Sequence, residues 1–153
     1  MNRLAVLAVL GVALGAAPAL ADWQNTNWQM TPEQVIAATG AVPATGDALG
    51  RGEVLKAQGE YEAAGFHFTS RFYFAADRLR VVSLELTETS RCEELLRSLT
   101  AIYGSPSVRR DRAARWASPE DNFYVLLNEP WPPHSYVCKV FYEPISRGSA
   151  SGL

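Results

Sequence analysis

The stretch Phe66-His67-Phe68-Thr69-Ser70-Arg71-Phe72-Tyr73-Phe74-Ala75 decides the fold. Phe66, Phe68, Phe72 and Phe74 share one parity, with His67, Thr69, Arg71 and Tyr73 on the other. Successive strand side chains point to opposite faces, so this alternation describes a strand with one apolar, buried face and one wet face. Turn residues bound it on both sides, Ala64-Gly65 before and Ala76-Asp77-Arg78 after. Val54 to Ala63 and Leu79 to Thr87 carry the same period of two, so three strands in an antiparallel meander are expected. Ala44 to Gly52, small and glycine-rich, reads as a loop.

A helix is expected upstream of the meander. Thr31 can cap it, Pro32 suits its first position, and Gln34 completes a Thr-x-x-Gln capping box. Val35 and Ile36 lie on one face, and Gly40 followed by Pro43 stops the helix. Asp22 to Met30, ahead of it, carries Trp23 and Trp28 among Gln, Asn and Thr with no period. A second helix is expected from Ser90, where Glu93 supplies another capping box. Cys92, Leu95, Leu96, Leu99 and Ile102 fall at helical spacing, and Tyr103-Gly104 with Pro106 ends the run. Three more strands are expected at Val108 to Trp116, Asn122 to Asn128 and Tyr136 to Tyr142. The expected fold class is therefore α+β, two helices packed on an antiparallel β-sheet. Each half has a capped helix, a Gly stop, a Pro and a three-stranded stretch, which suggests two helix–β-meander units.

Composition bounds the function. The chain has 153 residues, 48% hydrophobic and 20% charged, with a net charge of -2. That suits one globular domain and lacks the basic balance of a nucleic-acid binder, so no nucleic-acid partner is expected. Arg3, the apolar run Leu4 to Leu14, and Ala19-Leu20-Ala21 form the three regions of a secretory signal peptide, residues 1–21. The run is shorter than the roughly 20 residues of a membrane span. No cysteine lies near the cleavage point, so an exported, periplasmic, soluble protein without a lipid anchor is expected. The domain then covers residues 22–145, and the Gly- and Ser-rich stretch 146–153 reads as a flexible tail.

Cys92 and Cys138 are the only two cysteines. An oxidising compartment would pair them. The alternatives are a catalytic thiol, which would want a nearby histidine, or half of a metal site.

The segment Trp28-Gln29-Met30-Thr31-Pro32-Glu33-Gln34-Val35, with Gly40 and Pro43, resembles the opening of small bacterial envelope proteins. These are the outer-membrane assembly lipoproteins of the SmpA/OmlA type and the related beta-lactamase-inhibitor-protein-like fold. The resemblance covers Trp28 to Pro43 and is echoed by the stop Tyr103-Gly104-Ser105-Pro106. It implies a helix ending at Gly, followed by Pro, that packs with a second helix on an antiparallel sheet. The chain departs from those lipoproteins in lacking their lipidated cysteine.

Few residues point to chemistry. His67 sits opposite the Phe66 and Phe68 face and reads as a solvated strand residue. Trp131 and His134 fall in the loop Trp131-Pro132-Pro133-His134, either a recognition tip or a connection whose Trp folds back onto the sheet edge. Arg109, Arg110, Arg112 and Arg115 form one basic cluster, able to meet an acidic partner. In an extended strand Arg110 and Arg112 face opposite to Arg109 and Arg115, so a charge-guarded edge strand also explains them. Glu60 with Glu62, and Glu85 with Glu88, are pairs common on wet sheets, with no neighbouring motif that makes them an acid/base couple. The chain has no Gly-x-Ser-x-Gly, phosphate-cradling loop or dinucleotide fingerprint. No catalytic residue, metal or cofactor is assigned. The expected function is that of a secreted, periplasmic, envelope-associated interaction module that binds an envelope protein. The alternatives are an inhibitor of a hydrolase, since the resembling fold hosts one, and an enzyme acting on a small envelope substrate.

Overall fold

The alternation around Phe66–Ala75 builds what it dictates. In a computed structural model describing residues 23–145, the strands β2 (Val54–Ala63), β3 (Phe66–Ala75) and β4 (Arg78–Leu86) form an antiparallel meander. The expected signal peptide and tail lie outside the described residues. Both hairpins close on two residues of positive φ, Ala64-Gly65 (51° and 75°) and Ala76-Asp77 (48° and 56°). Turns of that hand match the right-handed twist of the flanking strands, which offsets the steric cost at the two alanines.

The other elements are α1 (Pro32–Thr39), β1 (Val42–Pro43), α2 (Cys92–Tyr103), β5 (Val108–Arg110), β6 (Ala113–Ser118), β7 (Phe123–Asn128) and β8 (Lys139–Pro144). All eight strands join one antiparallel sheet in the order β1-β2-β3-β4-β8-β7-β6-β5. β4 pairs with β8, for example Leu84 with Val140, and so fuses the two meanders into one sheet.

This corrects the expected α+β class. A single eight-stranded sheet dominates, the helices span only eight and twelve residues, and the two halves do not form separate helix–meander units. The physical reason is where the apolar mass lies. α1 buries only Pro32 and Val35, and α2 only Cys92, Leu95 and Leu99. The strands supply the four phenylalanines of β3, together with Leu79, Val82, Leu84, Trp116, Val125, Leu127 and Val140.

The helix ends divide on the expected chemistry. At α1 the capping box forms as expected: the Thr31 hydroxyl accepts from Gln34 N, and Gln34 Oε1 accepts from Thr31 N at 2.9 Å. Gly40 takes the left-handed conformation that ends the helix, φ 73°. At α2 the expected box is absent. A single 3-10 turn, Thr89–Arg91, leads in, and Glu93 pairs with Arg97 instead. Ile102, expected on the buried stripe, is exposed.

The aperiodic segment ahead of α1 is core. Thr26 Oγ1 donates to Trp23 O at 2.7 Å and closes a turn. The Trp23 ring then meets Tyr61, Phe72 and Tyr142 at centroid distances of 5.4 to 6.0 Å. Trp28 is also buried, and its Nε1 donates to Asn122 O.

The face expected to be wet is only partly so. Tyr73 is buried with Leu55 and Val81 under Ala44 and Leu49 of the 44–52 loop. Two bulges make this possible. Lys56 is an extra residue between the Leu55–Tyr73 and Ala57–Phe72 pairs, and Arg80 is extra between Val81–Tyr73 and Leu79–Phe74. One extra residue flips the parity of the strand beyond it, so Leu55 and Ala57 face opposite sides of the sheet. The loop is pinned by backbone bonds from Leu55 N to Asp47 O and from Leu49 N to Glu53 O, 2.9 and 2.8 Å.

Candidate functional site

The strand expected from Val108 to Trp116 breaks. Asp111, at φ 40°, opens a two-residue turn with Arg112, and β5 folds back on β6 with Arg110 opposite Ala113 and Val108 opposite Arg115. Directly opposed residues share a face, so the turn puts Arg110 and Arg115 on the same side of the sheet. This overturns the expected extended-strand facing, in which those two point apart. β5 is an edge strand, exposed at all three residues.

Each arginine has a different surrounding. Arg109 lies beside Ala114, on the core side, and its Nη1 is 2.5 Å from Glu129 Oε2, an oxygen sequestered from water. Arg115 stacks its guanidinium 3.9 Å over the Tyr124 ring. Arg112 Nη1 donates to Pro130 O at 3.3 Å. Arg110 is exposed and has no ion-pair partner among the described residues.

The loop from Glu129 to Cys138 stands at the same end of the sheet, because Asn128 is opposite both Ala113 and Lys139. Glu129 N donates to Arg112 O at 2.8 Å, which ties the loop's base to the arginine turn. Paired bonds, Trp131 N to Ser135 O and Ser135 N to Trp131 O, both 2.9 Å, close the loop on itself. Trp131 does not fold back onto the sheet edge. It is 57% exposed, with its ring against that of His134 at 5.1 Å. Tyr136, expected within a strand, lies in irregular backbone and is 67% exposed, because β8 begins only at Lys139.

The loop's far end is anchored by the disulfide. Cys92 at the start of α2 is bonded to Cys138, both buried, and Leu86 N donates to Cys138 O. The pairing matches the expectation and leaves no free thiol, so neither cysteine is a nucleophile or metal ligand.

Beside this corner, Arg71, Glu85 and Lys139 form an ionic ladder across β3, β4 and β8. Burial works against ionising Glu85, but hydrogen bonds from Arg71 at 2.7 Å and from Lys139 at 3.1 Å outweigh it and hold the carboxyl below the usual glutamate range. His67 is exposed, as expected of a wet-face residue, with Nδ1 3.5 Å from Glu62 Oε2. Glu88 lies 3.8 Å from Arg91. Among the described residues no three His, Cys, Asp or Glu side chains come together as a metal site would require, and no helix is long and apolar enough to cross a membrane.

The expected residues thus fall into one corner: Trp131 and His134 at the tip, Arg110 and Arg112 beside it, and Arg109, itself exposed, paired with the shielded Glu129 carboxylate. Sequence reasoning does not single out Tyr136 or Glu129. No local signal marks them, since both owe their place to where the chain leaves β7 and enters β8. No family model, curated protein or solved structure matches this chain.

Proposed function

We propose that the protein is an exported, periplasmic interaction module that binds another envelope protein without catalysis. Trp131, Tyr136, Arg110 and Arg112 would make the contact. The observation that carries this reading is the exposure of Trp131 on a closed loop tied through Arg112 and Glu129 to the arginine turn. Tryptophan, tyrosine and arginine are the residue types enriched among interface hot spots. A fixed loop also loses little conformational entropy on binding. Export is supported by the signal-peptide pattern of residues 1–21 and by the disulfide, which an oxidising compartment favours.

The test is affinity capture from the native envelope fraction with the oxidised chain, its Trp131→Ala variant and its Arg112→Glu variant as parallel baits. A specific partner retained by the parent and lost from both variants is expected. A partner held equally by all three would remove the corner from the account, and no partner at all would overturn the module.

A second reading is favoured by the same closed loop. A protruding, self-bonded tip can enter a cleft, so a periplasmic hydrolase inhibited by the parent and spared by Trp131→Ala would identify the captured partner as an enzyme target.

A further inference from the structure

At the other end of β2 and β4 from the Trp131 loop, α1 and the 43–48 segment stand apart over the start of β2. They enclose an open groove of about 910 Å³, well above the minimum for a small-molecule site. Ile36, Pro43, Ala44, Ala48, Val54 and Leu55 supply its apolar surface. Val54 is 40% exposed there, while its strand neighbour Leu55, pointing to the opposite face, is buried.

The polar lining has one sign in excess. Glu33, Asp47 and Asp77 contribute three carboxylates, and Lys56 is the only cation among the lining residues. Lys56 is already committed to Asp77 through a direct ion pair. Glu33 and Asp47 are exposed and have no ion-pair partner among the described residues. Arg71, which also feels the charge of Asp47, is hydrogen-bonded to Glu85. An apolar surface beside two exposed carboxylates that lack an ion-pair partner among the described residues complements a ligand with an apolar body and a cationic head.

We propose that this groove binds a small cationic amphiphile. Its hydrocarbon part would lie on Ile36, Ala44 and Val54, and its ammonium or guanidinium would stand between Glu33 and Asp47. The site is separate from the Trp131 corner and holds whether or not that corner binds a protein. The lining explains the choice of sign: an alkyl carboxylate would meet the same apolar surface but bring a like charge to both carboxylates, and a neutral alkanol would gain no charge pairing from either.

The experiment is an amide-resolved NMR titration of the oxidised chain with n-octylammonium, n-octanoate and n-octanol in turn. Saturable shifts at Ile36, Ala44 and Val54 are expected with octylammonium, at a concentration about tenfold below that needed for octanoate. Glu33→Lys and Asp47→Lys, both exposed and outside the core, should each weaken octylammonium several-fold without changing the rest of the spectrum. Added salt should weaken it as well, because the head group is solvent-exposed. Equal response to octanoate or octanol, shifts centred elsewhere, insensitivity to both charge reversals, or no saturable shift would each overturn the proposal. So would binding of an arginine-rich peptide in the groove with no response to octylammonium, since the occupant would then be a macromolecule.

Discussion

Arg112 and Pro130 are joined by one hydrogen bond, from the guanidinium Nη1 to the backbone carbonyl at 3.3 Å. Eighteen positions apart in the chain, they bring the arginine turn and the aromatic loop together as one surface. A backbone bond from Glu129 N to Arg112 O runs alongside.

Arg112→Ala removes the side-chain bond and keeps the backbone one. The residue is exposed, so the stability cost should be no more than about 1 kcal/mol. Native-state hydrogen exchange at Trp131 and Ser135 should nevertheless quicken. Unchanged exchange would mean that the paired bonds between those two residues hold the loop unaided.

The Cys92–Cys138 bond closes a separation of 46 residues. Loop-closure entropy in the unfolded chain puts its contribution at about 4 kcal/mol. Both sulfurs are buried, so the paired Cys92→Ala and Cys138→Ala variant should lose that amount in urea unfolding. It should also loosen the β7–β8 loop, whose C-terminal anchor is Cys138. A loss below about 1 kcal/mol would show that the β4–β8 pairing holds the loop's end without the bond.

Glu85 gives the protein a pH dependence of known sign. Its folded carboxyl is held below the usual range by Arg71 and Lys139, despite the opposing effect of burial. Its contribution is therefore present above the ordinary glutamate value of about 4.3, and is lost as pH falls through the lower folded value. Glu85→Gln should cost about 1–2 kcal/mol at neutral pH. It should also flatten the decline in stability below pH about 4.3, as read from urea midpoints across the acid range. Parallel curves for the variant and the parent would assign the acid loss to other carboxylates.

Tyr142 sits in the core against Trp23 and Phe123, with ring centroids at 6.0 and 5.3 Å. Burial, the neighbouring Tyr103 and their shared hydrogen bond push its hydroxyl well above the usual tyrosine value. The folded state thus prefers the protonated form. That preference is fully present below about pH 10 and weakens stability as pH rises beyond it. Ultraviolet titration should show Tyr142 ionising only as the fold is lost. Ionisation of all six tyrosines in one step near pH 10 would contradict this burial.

The sequence by itself determined the local structure. The parity of Phe66, Phe68, Phe72 and Phe74 set one buried face and the β2–β4 meander, because strand side chains alternate whatever lies across from them. Thr31, Gln34 and Gly40 set the limits of α1, since capping is completed within a few residues. The two cysteines, the only ones in the chain, indicated their own pairing.

Tertiary structure decided the rest, for reasons that sequence spacing does not carry. Which strands become neighbours depends on pairing between distant segments, so the union of β4 with β8 into a single sheet was not visible locally. The bulges at Lys56 and Arg80 turned part of the expected wet face into a second small core, because register is a property of two strands together. At the candidate site, a two-residue turn brought Arg110 and Arg115 onto one face, and the bonds from Arg112 and Glu129 fixed the exposed Trp131 loop beside them. A patch made of residues from separate strands exists only once the chain has folded, because its members are brought together by pairing and not by sequence.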